Sequence, residues 1–188
     1  GKSVVPGEVI TVCVCVGIVK NEGDIDRYRA FRKGDTSLPV AKFAGDWNTV
    51  PQVIWRGETV DYRPKAGLDW DGKNDLSFSL KLAQDEKGIH VFADVTDNFV
   101  RNTFSGEDTK LGDSVQIVFA DAAGKNTYDR VISALEAEPR DGGYVVKTLV
   151  DWETLERSGI RKTDSVRFNL CVADQDKGTN YENWMGIE

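Results

Sequence analysis

Two short stretches carry oxygen donors at alternate positions beside a glycine: Asp69-Trp70-Asp71-Gly72-Lys73-Asn74-Asp75 and Asp174-Gln175-Asp176-Lys177-Gly178-Thr179-Asn180. Hard cations take all-oxygen ligand sets of this kind, so Asp69, Asp71, Asp75, Asp174 and Asp176 are the expected calcium ligands. Neither stretch completes a twelve-residue loop with a closing glutamate. Asp, Asn and Gly also cluster in plain turns whose side chains bond their own backbone, and that alternative stays open. Catalytic chemistry is sparser. The chain has one histidine, His90, so any Ser-His-Asp or Cys-His device must use it, and its strand neighbours offer no nucleophile in a recognisable setting. Gly-x-Ser-x-Gly, His-Glu-x-x-His, Gly-x-Gly-x-x-Gly and P-loop spacings are absent. A carboxylate pair acting on a glycosidic bond is left open by the 31 acidic residues. The expectation is a protein that is not an enzyme and holds no organic cofactor.

Binding chemistry is better represented. Each of five tryptophans, Trp47, Trp55, Trp70, Trp152 and Trp184, can either stack on the apolar face of a sugar ring or plug a core. Trp152 sits where a strand meets a helix and is assigned to the core. Trp70 and Trp184 lie in polar surroundings and are the ligand candidates. If Ile89, Val91, Ile117, Phe168 and Leu170 point inward, the outward positions include His90, Phe92, Gln116, Arg130, Asn169 and Cys171. Such a mixed polar and aromatic face suits a hydroxyl-rich ligand, although a merely solvated sheet face has similar composition.

The elements that must position these residues are strands. Ile89, Val91, Ala93 and Val95 alternate with polar positions and end in Asp97. Val115, Ile117 and Phe119 do the same after Asp113. Further strands are predicted at 52–60, 76–82, 127–133, 144–150 and 166–172, separated by Gly, Asn and Asp turns. One helical turn is predicted from Trp152 to Arg157, capped by Asp151 and ended by Gly159. The fold class is all-β, an antiparallel β-sandwich with one short helix. Residues 1–40 read as a hairpin, with a first strand over 9–19 and a second near 27–32. It is either added to the sandwich of residues 41–188 or the remnant of a preceding domain. Cys13 and Cys15 lie two apart on one strand and cannot bridge each other, whereas a bridge from either to Cys171 is possible.

Composition excludes several partners. There are 24 Lys and Arg against 31 Asp and Glu, for a formal charge of −7. No basic stretch is free of neighbouring acids, which argues against nucleic acid. No apolar run approaches the ~18 residues of a membrane span.

From Gly45 onward the order of motifs resembles the family 9 carbohydrate-binding modules and the wider DOMON-like sandwiches. The matching pieces are Asp46-Trp47 with Val50-Pro51; Trp70-Asp71-Gly72 with Asp75-Leu76-Ser77; Gly88-Ile89-His90-Val91 running to Val95-Thr96-Asp97; Gly112-Asp113-Ser114-Val115-Gln116-Ile117; Gly143-Tyr144-Val145-Val146 running to Trp152; and Phe168-Asn169-Leu170 running to Asp174-Gln175-Asp176. The resemblance implies a non-catalytic domain that binds polysaccharide or its chain ends on a concave sheet. It also implies bound calcium and attachment to a larger secreted glycan-degrading protein, outside the cell or at its surface. It places Gln116 and Arg130 where such modules carry ligand-binding side chains, with His90 and Trp184 as further contacts. The chain departs from the pattern at Lys110 and Leu111, where a sugar-binding member has a platform tryptophan. The pattern's last strand is missing as well, and the strand over 9–19 is expected to fill its place in the sheet. Two other functions stay open: a structural spacer with a degenerate site, and a haem-binding electron-transfer domain using Met185 and His90 as axial ligands.

Overall fold

Alternating apolar and polar residues bury one face of a strand and leave the other for solvent, so two such sheets close on each other. A computed structural model of the chain describes residues 10–12, 36–58, 70–162, 165–176 and 183–187. The described residues form an all-β sandwich. Strands β1 (Ile10–Val12) and β2 (Thr36–Leu38) pair antiparallel as a small separate ribbon, and β1 lies against a strand of the second main sheet.

The first main sheet has six strands: β3 (Ala41–Lys42), β4 (Ile54–Arg56), β5 (Leu76–Gln84), β6 (Gly88–Asp97), β9 (Glu138–Arg140) and β10 (Gly143–Asp151). Its order is β3-β5-β6-β10-β9, with β4 pairing the middle of β5. The second has four strands, β7 (Ser114–Ala120), β8 (Thr127–Ser133), β11 (Arg167–Asp174) and β12 (Asn183–Gly186), in the order β12-β11-β7-β8. Every strand predicted within the body of the sandwich is present and matches within a few residues at each end, except that the one over 52–60 is shorter, Ile54–Arg56, with the end of its predicted range outside the described residues. The short β3, β9 and β12 were not predicted, because two to four residues are too few to show a period.

Between the sheets lie Leu76, Phe78, Leu80 and Leu82 of β5, Ile89, Val91, Ala93 and Val95 of β6, and Tyr144 and Val146 of β10. They face Val115, Ile117 and Phe119 of β7 and Phe168, Leu170 and Val172 of β11. Leu38 and Val40 join this core, so the chain just after β2 is packed into the sandwich. The predicted strands over 9–19 and near 27–32 fall largely outside the described residues, as do Cys13 and Cys15. Helix α1 (Trp152–Arg157) has its expected boundaries: the Asp151 carboxylate accepts from the Thr154 amide, and Gly159 stands at φ +81°, a left-handed conformation that stops a helix. Among the described residues no helix is long and apolar enough to cross a membrane.

Candidate metal centre

Period-2 alternation that runs past the end of an apolar strand carries the next residue into the same interior. Asp97 continues the inward row of β6, Asp113 precedes the inward row of β7, and Asp174 continues the inward row of β11. In β7–β11 pairing Ser114 is opposite Ala173, which sets the start of one strand beside the end of the other. The end of β6 closes on them from the first sheet. All three acids are buried, and one carboxylate oxygen from each lies within 4.8 Å of the others.

Their hydrogen bonds hold the carboxylates in place without satisfying them. Asp113 accepts from the backbone amides of Arg101 and Gln175, one on each oxygen. Asp97 accepts from the Phe99 amide at 2.8 Å on Oδ1, and Asp174 accepts from Asn183 Nδ2 at 3.2 Å on Oδ2. Asp97 Oδ2, Asp174 Oδ1 and Asn183 Oδ1 are buried acceptors with no hydrogen-bond donor. Buried oxygens without donors are uncommon in folded proteins, and here three converge around one acidic cluster.

Electrostatics points the same way. Burial, reinforced by the neighbouring Asp97 and Asp174, pushes the Asp113 carboxyl up to about 9. Burial pushes Asp174 to about 8, with Asp176, Asp97 and Asp75 adding to the shift, and Asp97 to about 6. Two unit charges at this spacing repel by roughly 3 kcal/mol at an effective dielectric of 20, so three bare carboxylates do not coexist here. The Tyr144 hydroxyl, buried under the same field, is held well above its usual range. A divalent cation removes the conflict directly, and an all-oxygen donor set selects a hard one: calcium, magnesium or manganese. The residues present therefore fit the calcium that the sequence motifs imply.

The five acids expected to bind metal are distributed differently from the two-loop expectation. Asp174 joins the trio. Asp75 is buried nearby but engaged, accepting from the Asp71 amide at 2.9 Å and from Asn98 Nδ2 at 2.5 Å. Asp176 contributes to the field on Asp97 and Asp174. Asp71 is exposed and Asp69 lies outside the described residues. Asp97 and Asp113 were not assigned as ligands from the sequence. The available signal was their parity, since each keeps step with the apolar face of its own strand.

The four expected sugar contacts do not share a surface. Trp184 is 1% exposed, which corrects its assignment as a stacking platform, because a ring closed to solvent offers no face to a ligand. Trp70 packs on the core and donates from Nε1 to the Leu76 carbonyl at 3.0 Å. Arg130 was expected on an outward face. Its cross-strand partner is Ile117, a core residue, so Arg130 points between the sheets, and its guanidinium reaches Thr148 Oγ1 of β10 at 3.0 Å. It ties the two sheets together at their open side. Gln116 does face outward, donating to Asp129 Oδ2 at 2.7 Å. His90 faces outward on the other sheet, stacked on Phe43 at 4.0 Å between ring centroids and bonded through Nε2 to Asp85 at 2.9 Å. Met185 lies in the core between the sheets while His90 lies outside the first sheet, so a single haem cannot take both as axial ligands. Gln116 and its exposed partner Asp129 lie at the open β8 side of this face, whereas the β11–β12 side is closed: Asn169, Cys171, Ala173 and Val118 are buried there with Trp184.

No family model matches the chain, and no curated protein matches it. Among solved structures the chain is similar to a family 9 carbohydrate-binding module from Caldicellulosiruptor kristjanssonii in complex with cellotriose. The identity is 14%, with 79% of this chain and 78% of that chain covered at a TM-score of 0.49.

Proposed function

We propose that the chain is a non-catalytic carbohydrate-binding β-sandwich with calcium held at one end by Asp97, Asp113 and Asp174, serving a larger secreted glycan-degrading protein. The observation that carries this reading is the trio itself. Three buried carboxylates from β6, the approach to β7 and β11 converge with unsatisfied oxygens, at the point where both sheets end. Calcium there neutralises the cluster and ties the two sheets and the segment around Asn183 into one rigid body. A rigid scaffold is what a glycan-binding surface needs, because ordering costs subtract directly from affinity. Binding rather than catalysis is supported by His90, whose ring is occupied by its stack on Phe43 and its bond to Asp85. The glycan rests on the ordered motifs from Asp46-Trp47 to Asp174-Gln175-Asp176.

The test is a glycan-array screen of the purified chain with calcium and again with chelator, alongside thermal unfolding in both buffers. Retention on a polysaccharide with calcium, together with a lower Tm in chelator, is the expected result. A folded chain whose Tm ignores calcium would remove the metal. The spacer reading is favoured by the closed β11–β12 side of the second sheet's outer face, and it would prevail if a cooperative, calcium-loaded chain were retained by no glycan.

A further inference from the structure

The β11–β12 side of the second sheet's outer face is closed, and on the first sheet Phe43 and Trp47 pack over His90 and Phe92, which leaves the strip along β4 as an exposed part of that sheet's outer face. It carries the most exposed tryptophan described, Trp55, at 45%. Trp55 stands in register with Ser79 of β5, and Ser79 with Asp94 of β6, so the three side chains form a row across adjacent strands. At the usual strand spacing the row is roughly 10 Å long.

Each member is held. A Cβ built on Gly57 would meet the Trp55 ring at 2.6 Å and the Ser77 Cβ at 2.8 Å, so the indole leans along its own strand over a position only glycine can occupy. A ring leaning on the sheet turns one face to solvent. Asp94 accepts from Arg140 Nε at 2.6 Å, and Arg140 also donates to the Val95 carbonyl and Thr96 Oγ1, which fixes the carboxylate while its second oxygen stays available. In the next row Phe92 lies between Lys81 and Lys147, whose Nζ atoms are 5.3 and 6.0 Å from its ring centroid.

Two ion pairs neutralise most of the charge on this face: Asp94 meets Arg140, and Glu138 meets Lys147 at 2.5 Å. Lys81 keeps its charge but is turned to the Trp47 carbonyl and the Phe92 ring. Such a face exchanges hydrogen bonds with hydroxyl groups in both directions and offers a polyanion little net charge. We infer that the outer face of the first sheet is the ligand site, with Trp55 as its stacking platform and Ser79 and Asp94 as hydroxyl partners, and that its ligand is an uncharged polysaccharide chain. This rests on the glycan-binding function proposed above and names its surface and ligand class.

The test is affinity electrophoresis of the full chain, with calcium, in gels containing hydroxyethylcellulose, xyloglucan, galactomannan or, as the acidic arm, polygalacturonate. A neutral polysaccharide should retard the wild type. Trp55→Ala should weaken that retardation at least tenfold without changing the Tm, Trp55→Phe should keep part of it, and Asp94→Asn should weaken it severalfold. Gln116→Ala should change nothing. Retardation that persists in Trp55→Ala but disappears in Gln116→Ala would overturn this site while keeping the function. Retardation by polygalacturonate alone would overturn the ligand class. Retardation by none of the four would overturn the site and the glycan-binding function together.

Discussion

The two ends of the sandwich treat the same residue type in opposite ways. At one end Asp97, Asp113 and Asp174 are buried beside each other, and their carboxyls are pushed up, chiefly by burial. At the other end Asp85, Asp121 and Asp151 follow or close β5, β7 and β10, and their carboxyls are held below the usual range. For Asp121 and Asp151 the main cause is a backbone amide, that of Lys125 and of Thr154 respectively. For Asp85 burial opposes the shift, and the bonds from His90 and from the Lys87 and Gly88 amides overcome it. One end is built from satisfied turn caps that keep an ionised acid content. The other is an incomplete polar cluster, stable at neutral pH only with protons or a cation. A carboxylate's position in a strand does not decide its chemistry; burial, the acids beside it and the supply of donors at that end do.

Breaking this contrast should have its largest effect at Asp113. Asp113→Ala leaves the buried amides of Arg101 and Gln175 without acceptors and removes a proposed ligand. Urea unfolding in saturating calcium should show a loss of about 2 to 6 kcal/mol, at roughly 1 to 3 for each orphaned amide. Asp121→Ala, at the opposite and solvated end, should lose much less. Equal losses would erase the distinction between the ends.

Calcium and pH sharpen the same contrast. At a free concentration a hundred times the dissociation constant, calcium should add about 2.7 kcal/mol of stability. Asp174→Asn should abolish that increment while leaving the chelated protein as stable as the wild type, or more so, at pH 8. In chelator the raised acids bind protons more tightly folded than unfolded. Their contribution is therefore complete below about pH 4 and is lost as pH rises through about 6, 8 and 9. Calorimetry of the chelated chain should show Tm falling across that window and calcium flattening the fall. The lowered acids act in the other direction, losing their contribution as pH drops below the ordinary carboxylate range. A chelated chain whose Tm rose steadily from pH 5 to 8 would contradict the account of the trio.

The smallest effect belongs to the helix cap. Asp151→Ala should lower the Tm slightly, since it removes the N-cap of a helix of little more than one turn, and the loss should be the same with calcium and with chelator. Calcium dependence at that position would mean that the two ends communicate.

Much of the architecture was legible because it is local. The alternation of β6, β7 and β11 specified strands with a definite inward face, and Asp151 with Gly159 specified the limits of α1. The site was less legible. Arg130 was placed outward because Tyr128-Asp129-Arg130-Val131-Ile132 alternates weakly, and only its pairing with Ile117 shows that it shares the face of Tyr128 and Ile132. Trp184 sat in polar company along the chain, yet it pairs with Ala173 on the closed side of the second sheet's outer face.

The strands, their period and the parity that carries Asp97, Asp113 and Asp174 inward are written locally in the chain, since they follow from backbone geometry and the exclusion of apolar side chains from water. Parity alone did not distinguish these acids from Asp121, which also continues the inward row of its strand but lies at the other end. Which strand ends meet, and so which acids face one another with too few donors, is set by the tertiary fold. It likewise decided which sheet face stays open. Both depend on contacts between residues far apart in the chain, where no local pattern reaches.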